Sequence, residues 1–194
     1  SHPQGESLLL DSGDDFTVQR SVELIKKIAT SLSAAHSAGV WHGNLSPGNI
    51  FSEAEHPYLA DFSLSQLIRL DFDSGIDPRY TSPEQVRGET PGPATDIYSL
   101  GCIFYHLLTG TPPFIADEPF AIAKQHLQDE FPLLPEELKI LQPLLASMTA
   151  AVVAERITAD ELLDQINRLS VSQELGQISF QRTAGPQGLS LIHI

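Results

Sequence analysis

Residues Thr95 to Thr109 place Ile97, Leu100, Gly101, Ile103, Phe104, Leu107 and Leu108 on more than one face of a 3.6-residue helix. A helix that is apolar on several faces cannot rest on a solvated surface, so other elements must wrap around it. This segment is the expected core axis, and Gly110 with Pro112-Pro113 ends it. Upstream, Val22, Ile25, Ile28, Ala29, Leu32 and Ala35 recur at spacings of three and four, between Thr17 as a possible N-cap and Gly39 as a stop. That spacing predicts an amphipathic helix over 18–38. Further amphipathic helices are predicted over 120–128, 136–147 and 159–169. Ile50-Phe51 and Tyr58-Leu59-Ala60 flank Glu53 to Pro57 and suggest a minimal two-stranded hairpin. Residues 40–50 lose all period and carry His42, Gly43, Asn44, Pro47, Gly48 and Asn49, the mixture of a structured loop. Residues 61–79 read as a second, longer loop.

At 194 residues the chain suits one domain or a piece of one. Its 25 acidic and 11 basic side chains give a net charge of −14, which a phosphate backbone or an anionic membrane surface would repel. No nucleic-acid partner and no membrane contact are expected from this segment. Cys102 has no cysteine to pair with, so a reducing compartment is compatible and a cytoplasmic location is expected. The chain opens at Ser1 without an initiator Met or a signal-peptide pattern, so an upstream segment is expected to be missing. The organisation expected is a domain over 1–170 and a Ser/Gln/Gly-rich linker or frayed tail over 171–188. Leu189 to Ile194 matches, codon by codon, a translated sequencing-library adapter, and it is set aside from fold reasoning as a scar.

Two hydrolase chemistries fail on spacing. The seven His are scattered without an H-E-x-x-H pair. Ser99-Leu100-Gly101 lacks the first glycine of a nucleophile elbow, since Ile97 stands there.

A third pattern fits. His42-Gly43-Asn44-Leu45-Ser46-Pro47-Gly48-Asn49, then Asp61-Phe62-Ser63, then Ser82-Pro83-Glu84, then Asp96 opening the apolar helix, resembles the protein-kinase signature in order and spacing. Relatives read H-R-D-x-K-P-x-N, D-F-G and A-P-E at these places, followed by D-x-Y-S-L-G and L-L-T-G-x-P-P-F. The match is similar to a bacterial-type Ser/Thr kinase C-terminal lobe and covers 18–169. The resemblance implies a mainly α fold, a kinase-like C-lobe with a small β-hairpin. The N-lobe is expected to be absent, because no Gly-rich loop and no V-A-I-K-type lysine precede Val18.

Carried over residue by residue, the resemblance implies that Asn49 and Asp61 hold Mg²⁺ ions bridging the phosphates of ATP. It implies that His42 packs as a structural residue beneath the loop. Glu84 and Arg156 would form a buried ion pair, and Asp96 would receive backbone N–H bonds from the loop at His42 to Asn44. An ordinary helix N-cap is the other reading of Asp96. The implied partners are ATP and a protein substrate or signalling partner.

The departures carry more information than the matches. Asn44 stands at the position of the catalytic carboxylate, and a neutral amide cannot take the proton of a substrate hydroxyl. Ser46 replaces the lysine two residues on, removing a cation from the place where the transferred phosphoryl develops charge. Gly43 replaces the arginine that grips a phosphorylated activation loop in many relatives, and Asp71, Asp73 and Asp77 would repel such a phosphate. Ser63 replaces a glycine, and Ile76-Asp77 occupies the place of the usual G-T. The expectation is a pseudokinase acting as a scaffold or allosteric signalling module; the alternative is an active ATP-dependent Ser/Thr kinase with an unusual catalytic loop.

Overall fold

The computed structural model describes residues 17–53, 56–59 and 76–171. Its axis is helix α3 (Pro93–Thr109), along which Ile97, Leu100, Cys102, Ile103, Phe104 and Leu107 are each at most 1% exposed. Pro93 sits in the first turn, where its missing N–H costs nothing. Gly110 ends the helix at φ 84°, with its N–H on the His106 carbonyl at 2.8 Å.

Helix α1 (Val18–Ser37) starts at Thr17, whose hydroxyl accepts the Arg20 N–H at 3.2 Å. Its Val22, Ile25, Ala29 and Leu32 stripe is buried, and the helix packs against both α3 and α6 (Ala159–Val171). Strands β1 (Ile50–Glu53) and β2 (His56–Leu59) pair antiparallel with Ile50 opposite Leu59. The ladder runs further toward the turn than the apolar residues indicate, since Glu53 also pairs with His56. No other sheet occurs among the described residues.

The segment 136–147 is not one helix. Residues Glu136–Leu141 wind as a 3₁₀ helix, and an α-helix follows only over Gln142–Met148. Pro143 has no N–H to offer the Lys139 carbonyl, which is bonded instead by Gln142 in the tighter turn. Numbered in chain order, this second piece is α5, after the short helix α2 (Pro83–Val86) and α4 (Pro119–Gln128).

Helix α5 lies against α3 at Gly101. A Cβ built there would stand 2.6 Å from the Thr149 Cγ2 and 3.1 Å from the Met148 Cβ, so only glycine permits this approach. Helix α4 buries Ile122, Ala123 and His126 against α2 and the turn at 78–80. His126 meets the Phe114 ring edge-on at 4.6 Å between centroids, and Phe131 closes the cluster against Tyr98 and Tyr105. Most of the long loop expected over 61–79 lies outside the described residues, as do Ala60 and the tail beyond Val171.

Candidate active site

Loop 40–49 has little secondary structure of its own, so its polar backbone must find partners elsewhere. Two of them come from Asp96 in the first turn of α3, whose side chain is fully buried. Its Oδ2 accepts the His42 N–H at 2.8 Å and its Oδ1 accepts the Gly43 N–H at 2.6 Å. His36, on the last turn of α1, donates through Nε2 to Oδ2 at 2.9 Å, because a carboxylate offers only lone pairs. Three donors on two oxygens make it tolerable to hold this carboxylate out of water. His36 also lines a cleft of about 540 Å³ between the end of α1, the start of α3 and residues 153–160.

Gly43 adopts φ 70°, the left-handed region where a Cβ would crowd the backbone. Its carbonyl accepts the Gln85 Nε2 at 2.7 Å, so both backbone polar groups of Gly43 are bound to side chains distant in sequence. Next to it, the Asn44 N–H reaches the His42 Nδ1 at 3.2 Å and the Asn44 carbonyl accepts the Asn49 Nδ2 at 2.8 Å. The Asn49 N–H closes a 3₁₀ turn over Pro47–Asn49 onto the Ser46 carbonyl at 3.0 Å. His42 and Leu45 are buried and anchor the loop, while Asn44, Ser46 and Asn49 stay half-buried at its outer side. The Asn49 amide oxygen is not used by its bond to Asn44, and it is the atom of that side chain that a hard cation would take.

The Gln85 reach depends on a capped turn. The Ser82 hydroxyl accepts the Gln85 N–H at 3.4 Å, and the Gln85 Oε1 accepts the Ser82 N–H and hydroxyl, both at 3.1 Å. This reciprocal cap fixes α2 and aims the remaining amide NH₂ at the loop. One residue earlier, Glu84 meets Arg156 through Nη1 to Oε1 at 2.7 Å and Nη2 to Oε2 at 3.1 Å. The Thr95 hydroxyl donates to the same Oε1 at 2.9 Å. Burial alone would raise the Glu84 pKa, but the Arg156 hydrogen bonds and charge reverse it and hold the carboxyl below its ordinary range. Arg156 also donates to the carbonyls of Ala94 and Ala150, and its guanidinium lies 4.9 Å over the Tyr98 ring.

Between these parts lies the turn Pro78–Tyr80, opened by Asp77. Asp77 accepts the Arg79 backbone N–H at 3.0 Å and its side chain through Nε and Nη2, at 2.9 Å and 2.6 Å. That hydrogen bonding raises the Arg79 pKa further. The Tyr80 hydroxyl meets the His106 Nδ1 at 2.7 Å, and the Ser99 hydroxyl donates to the Tyr80 carbonyl at 2.7 Å. The turn is thereby held against the middle of α3.

Asn44, Ser46 and Asn49 thus share one loop, with Asp96 and Gln85 gripping its inner end. Glu84 and Arg156 join α2 to the segment before α6. Asp61, Ser63, Asp71 and Asp73 lie outside the described residues. Among the described residues no group of three or more His, Cys, Asp or Glu side chains gathers as a metal cluster, and no helix is long and apolar enough to cross a membrane. Sequence reasoning passed over Gln85, His36, Thr95 and Tyr98. The Gln85 signal lies in S-x-x-Q, the capping-box pattern; His36 and Tyr98 act through Asp96 and His126, 60 and 28 positions away, and Thr95 through Glu84, 11 positions back.

A helical lobe built on one buried helix, with an irregular loop bound to a buried carboxylate and a buried Glu–Arg pair, is the framework of a protein kinase domain. The family model described as "Protein kinase domain" matches residues 5–166, and the chain belongs to that family. It is 36% identical over 120 residues to the serine/threonine-protein kinase PknB of Mycolicibacterium smegmatis, covering 58% of this chain and 19% of that protein. It is 33% identical over 174 residues to a probable PknB of Corynebacterium glutamicum, covering 80% of this chain and 27% of that one. A probable serine/threonine-protein kinase of Streptomyces coelicolor is 31% identical over 163 residues, covering 78% and 23%. The chain therefore spans about a fifth to a quarter of the length of these relatives.

Proposed function

We propose that this chain is part of a pseudokinase, a kinase-like domain that serves as a scaffold or allosteric module in signalling rather than as a phosphotransferase. The observation that carries this reading is Asn44: the loop around it is firmly held, yet the residue at the base position is an amide. An amide at that position removes general-base help worth about 10²- to 10⁴-fold in rate, or about 3 to 5 kcal/mol of barrier. Ser46 removes a second contribution, the cation that would meet charge developing on the phosphoryl group. Because positioning and electrostatics carry phosphoryl transfer, two altered groups in one loop act together.

Nucleotide binding is a separate property. Asn49 offers an oxygen of the right chemistry for Mg²⁺, and Asp61 is the second ligand the family resemblance implies. With ATP bound, the metal would neutralise phosphate charge; this chain's own part is to hold that oxygen in place through the Asn49–Asn44 bond. The retention of Asn49 favours the second reading, an active kinase whose base is supplied by another group. A cytoplasmic setting and a protein partner belong to the same proposal.

The test is Mg·ATP binding and transfer of radiolabelled phosphate by the gene product containing this chain, beside an Asn44→Asp plus Ser46→Lys variant. Binding without transfer, with transfer appearing in the repaired variant, is the expected result. Transfer at an ordinary kinase rate by the unaltered protein overturns the pseudokinase reading.

A further inference from the structure

The Gly43 backbone is gripped on both of its polar groups, by Asp96 from α3 and by Gln85 from α2. The two grips differ in what stands behind them. Asp96 belongs to the rigid core axis, whereas Gln85 belongs to the capped turn that directly follows Asp77 to Thr81. Its Oε1 is occupied by Ser82 and its Nε2 by Gly43, so a single amide spans from the cap of α2 to the loop that carries Asn44. Beyond Gly43 the connection continues, since the next carbonyl, that of Asn44, is the acceptor for Asn49.

We propose that Gln85 is a positioning residue that locks loop 42–49 in register with the segment ending at Ser82, so that whatever seats against residues 76–82 is felt at Asn44 and Asn49. This rests on the kinase-like reading of the loop but not on whether it transfers phosphate. A planar amide suits the task. Its acceptor end reads the Ser82 cap and its donor end reads the Gly43 carbonyl, so neither contact forms correctly unless the other does. Gln85 is only 9% exposed, and little water can substitute for the lost donor at Gly43.

The test compares Gln85→Glu and Ser82→Ala in the full chain by amide hydrogen exchange, without nucleotide. Glutamate keeps the acceptor for Ser82 but cannot donate to the Gly43 carbonyl. The expected result is exchange about tenfold faster at the Gly43, Asn44 and Asn49 amides, the size of one buried hydrogen bond, with the α3 amides unchanged. Ser82→Ala, which removes the two bonds made by the Ser82 hydroxyl but keeps the Ser82 N–H on the Gln85 Oε1, should accelerate the same three amides by a smaller factor. Unchanged exchange at those amides in Gln85→Glu, or a uniform rise that includes α3, overturns the proposal. Because no nucleotide enters the measurement, failure to bind Mg·ATP leaves it standing, and its own failure leaves the pseudokinase reading untouched.

Discussion

Arg156 lays its guanidinium fork on the Glu84 carboxylate at 2.7 and 3.1 Å, with the two side chains 0% and 4% exposed. The pair joins α2, which follows the turn Pro78–Tyr80, to the segment that leads into α6. Removing one partner strands the other as a buried charge with no solvent to receive it. Arg156→Ala is expected to lose about 3 to 5 kcal/mol of stability. Arg156→Lys should recover only part of that, because an ammonium cannot give the parallel bonds of a fork. The Glu84 pKa lies below its ordinary 4.5, so the pair contributes fully above about pH 4.5 and is lost as pH falls through the lowered value. Chemical denaturation reads both effects, and an unchanged midpoint for Arg156→Ala would sink the argument.

Gly43 carries φ 70°, in the left-handed region that favours glycine. Alanine there meets the left-handed penalty of about 1 kcal/mol, while asparagine, which enters that region more readily, should lose less. Urea denaturation of Gly43→Ala and Gly43→Asn tests the ordering. Equal midpoints for both variants and the unaltered chain would show that the backbone relaxes out of the strained region.

The contact of α3 with α5 predicts a coupled pair. Gly101→Ala drives a methyl into Thr149 and Met148 and should cost about 1 to 3 kcal/mol. Thr149→Ser removes the Cγ2 that lies 2.6 Å from the built Cβ, so the double variant should be more stable than the sum of the single changes allows. Strict additivity in thermal melts contradicts the geometry.

His126 is buried among aromatic rings with the Tyr98 hydroxyl 2.9 Å from its Nδ1, and burial lowers its pKa from 6.5 to about 4. The unfolded chain therefore takes up this proton first as pH falls. Stability tied to His126 is complete above pH 6.5 and is lost between there and about pH 4, a difference of about 3 kcal/mol. In His126→Gln that part of the pH dependence should vanish. A denaturation series from pH 7 to pH 4 that falls as steeply in the variant as in the unaltered chain refutes the assignment.

The parts of this fold legible in sequence are those whose cause is local. Thr17, the three-and-four spacing and Gly39 at φ 73° bracket α1, and the many-sided apolar pattern marks α3 as the axis. The break at Pro143 has a local cause too, because proline removes the N–H that a continuous helix across 136–147 needs. Strand ends were not legible, because Ser52 to His56 carries no alternation to extend the ladder. Loop 40–49 is recognisable by its motif residues, but nothing in periodicity says that Gly43 is held by Gln85, 42 positions on, or that His36 bonds a carboxylate 60 positions away. Those contacts exist because segments far apart in sequence pack side by side in the fold, α1 against α3 and α2 against the loop at Gly43.

Cys102, the sole cysteine of the chain, sits fully enclosed in α3, and burial pushes its thiol well above the ordinary range. Such a thiol is silent toward an alkylating or disulfide reagent while the core is shut. The protein thus carries its own clock: the rate at which Cys102 becomes labelled measures how often the helical lobe opens. No added probe is needed to follow it, and every variant above can be ranked on that one time axis.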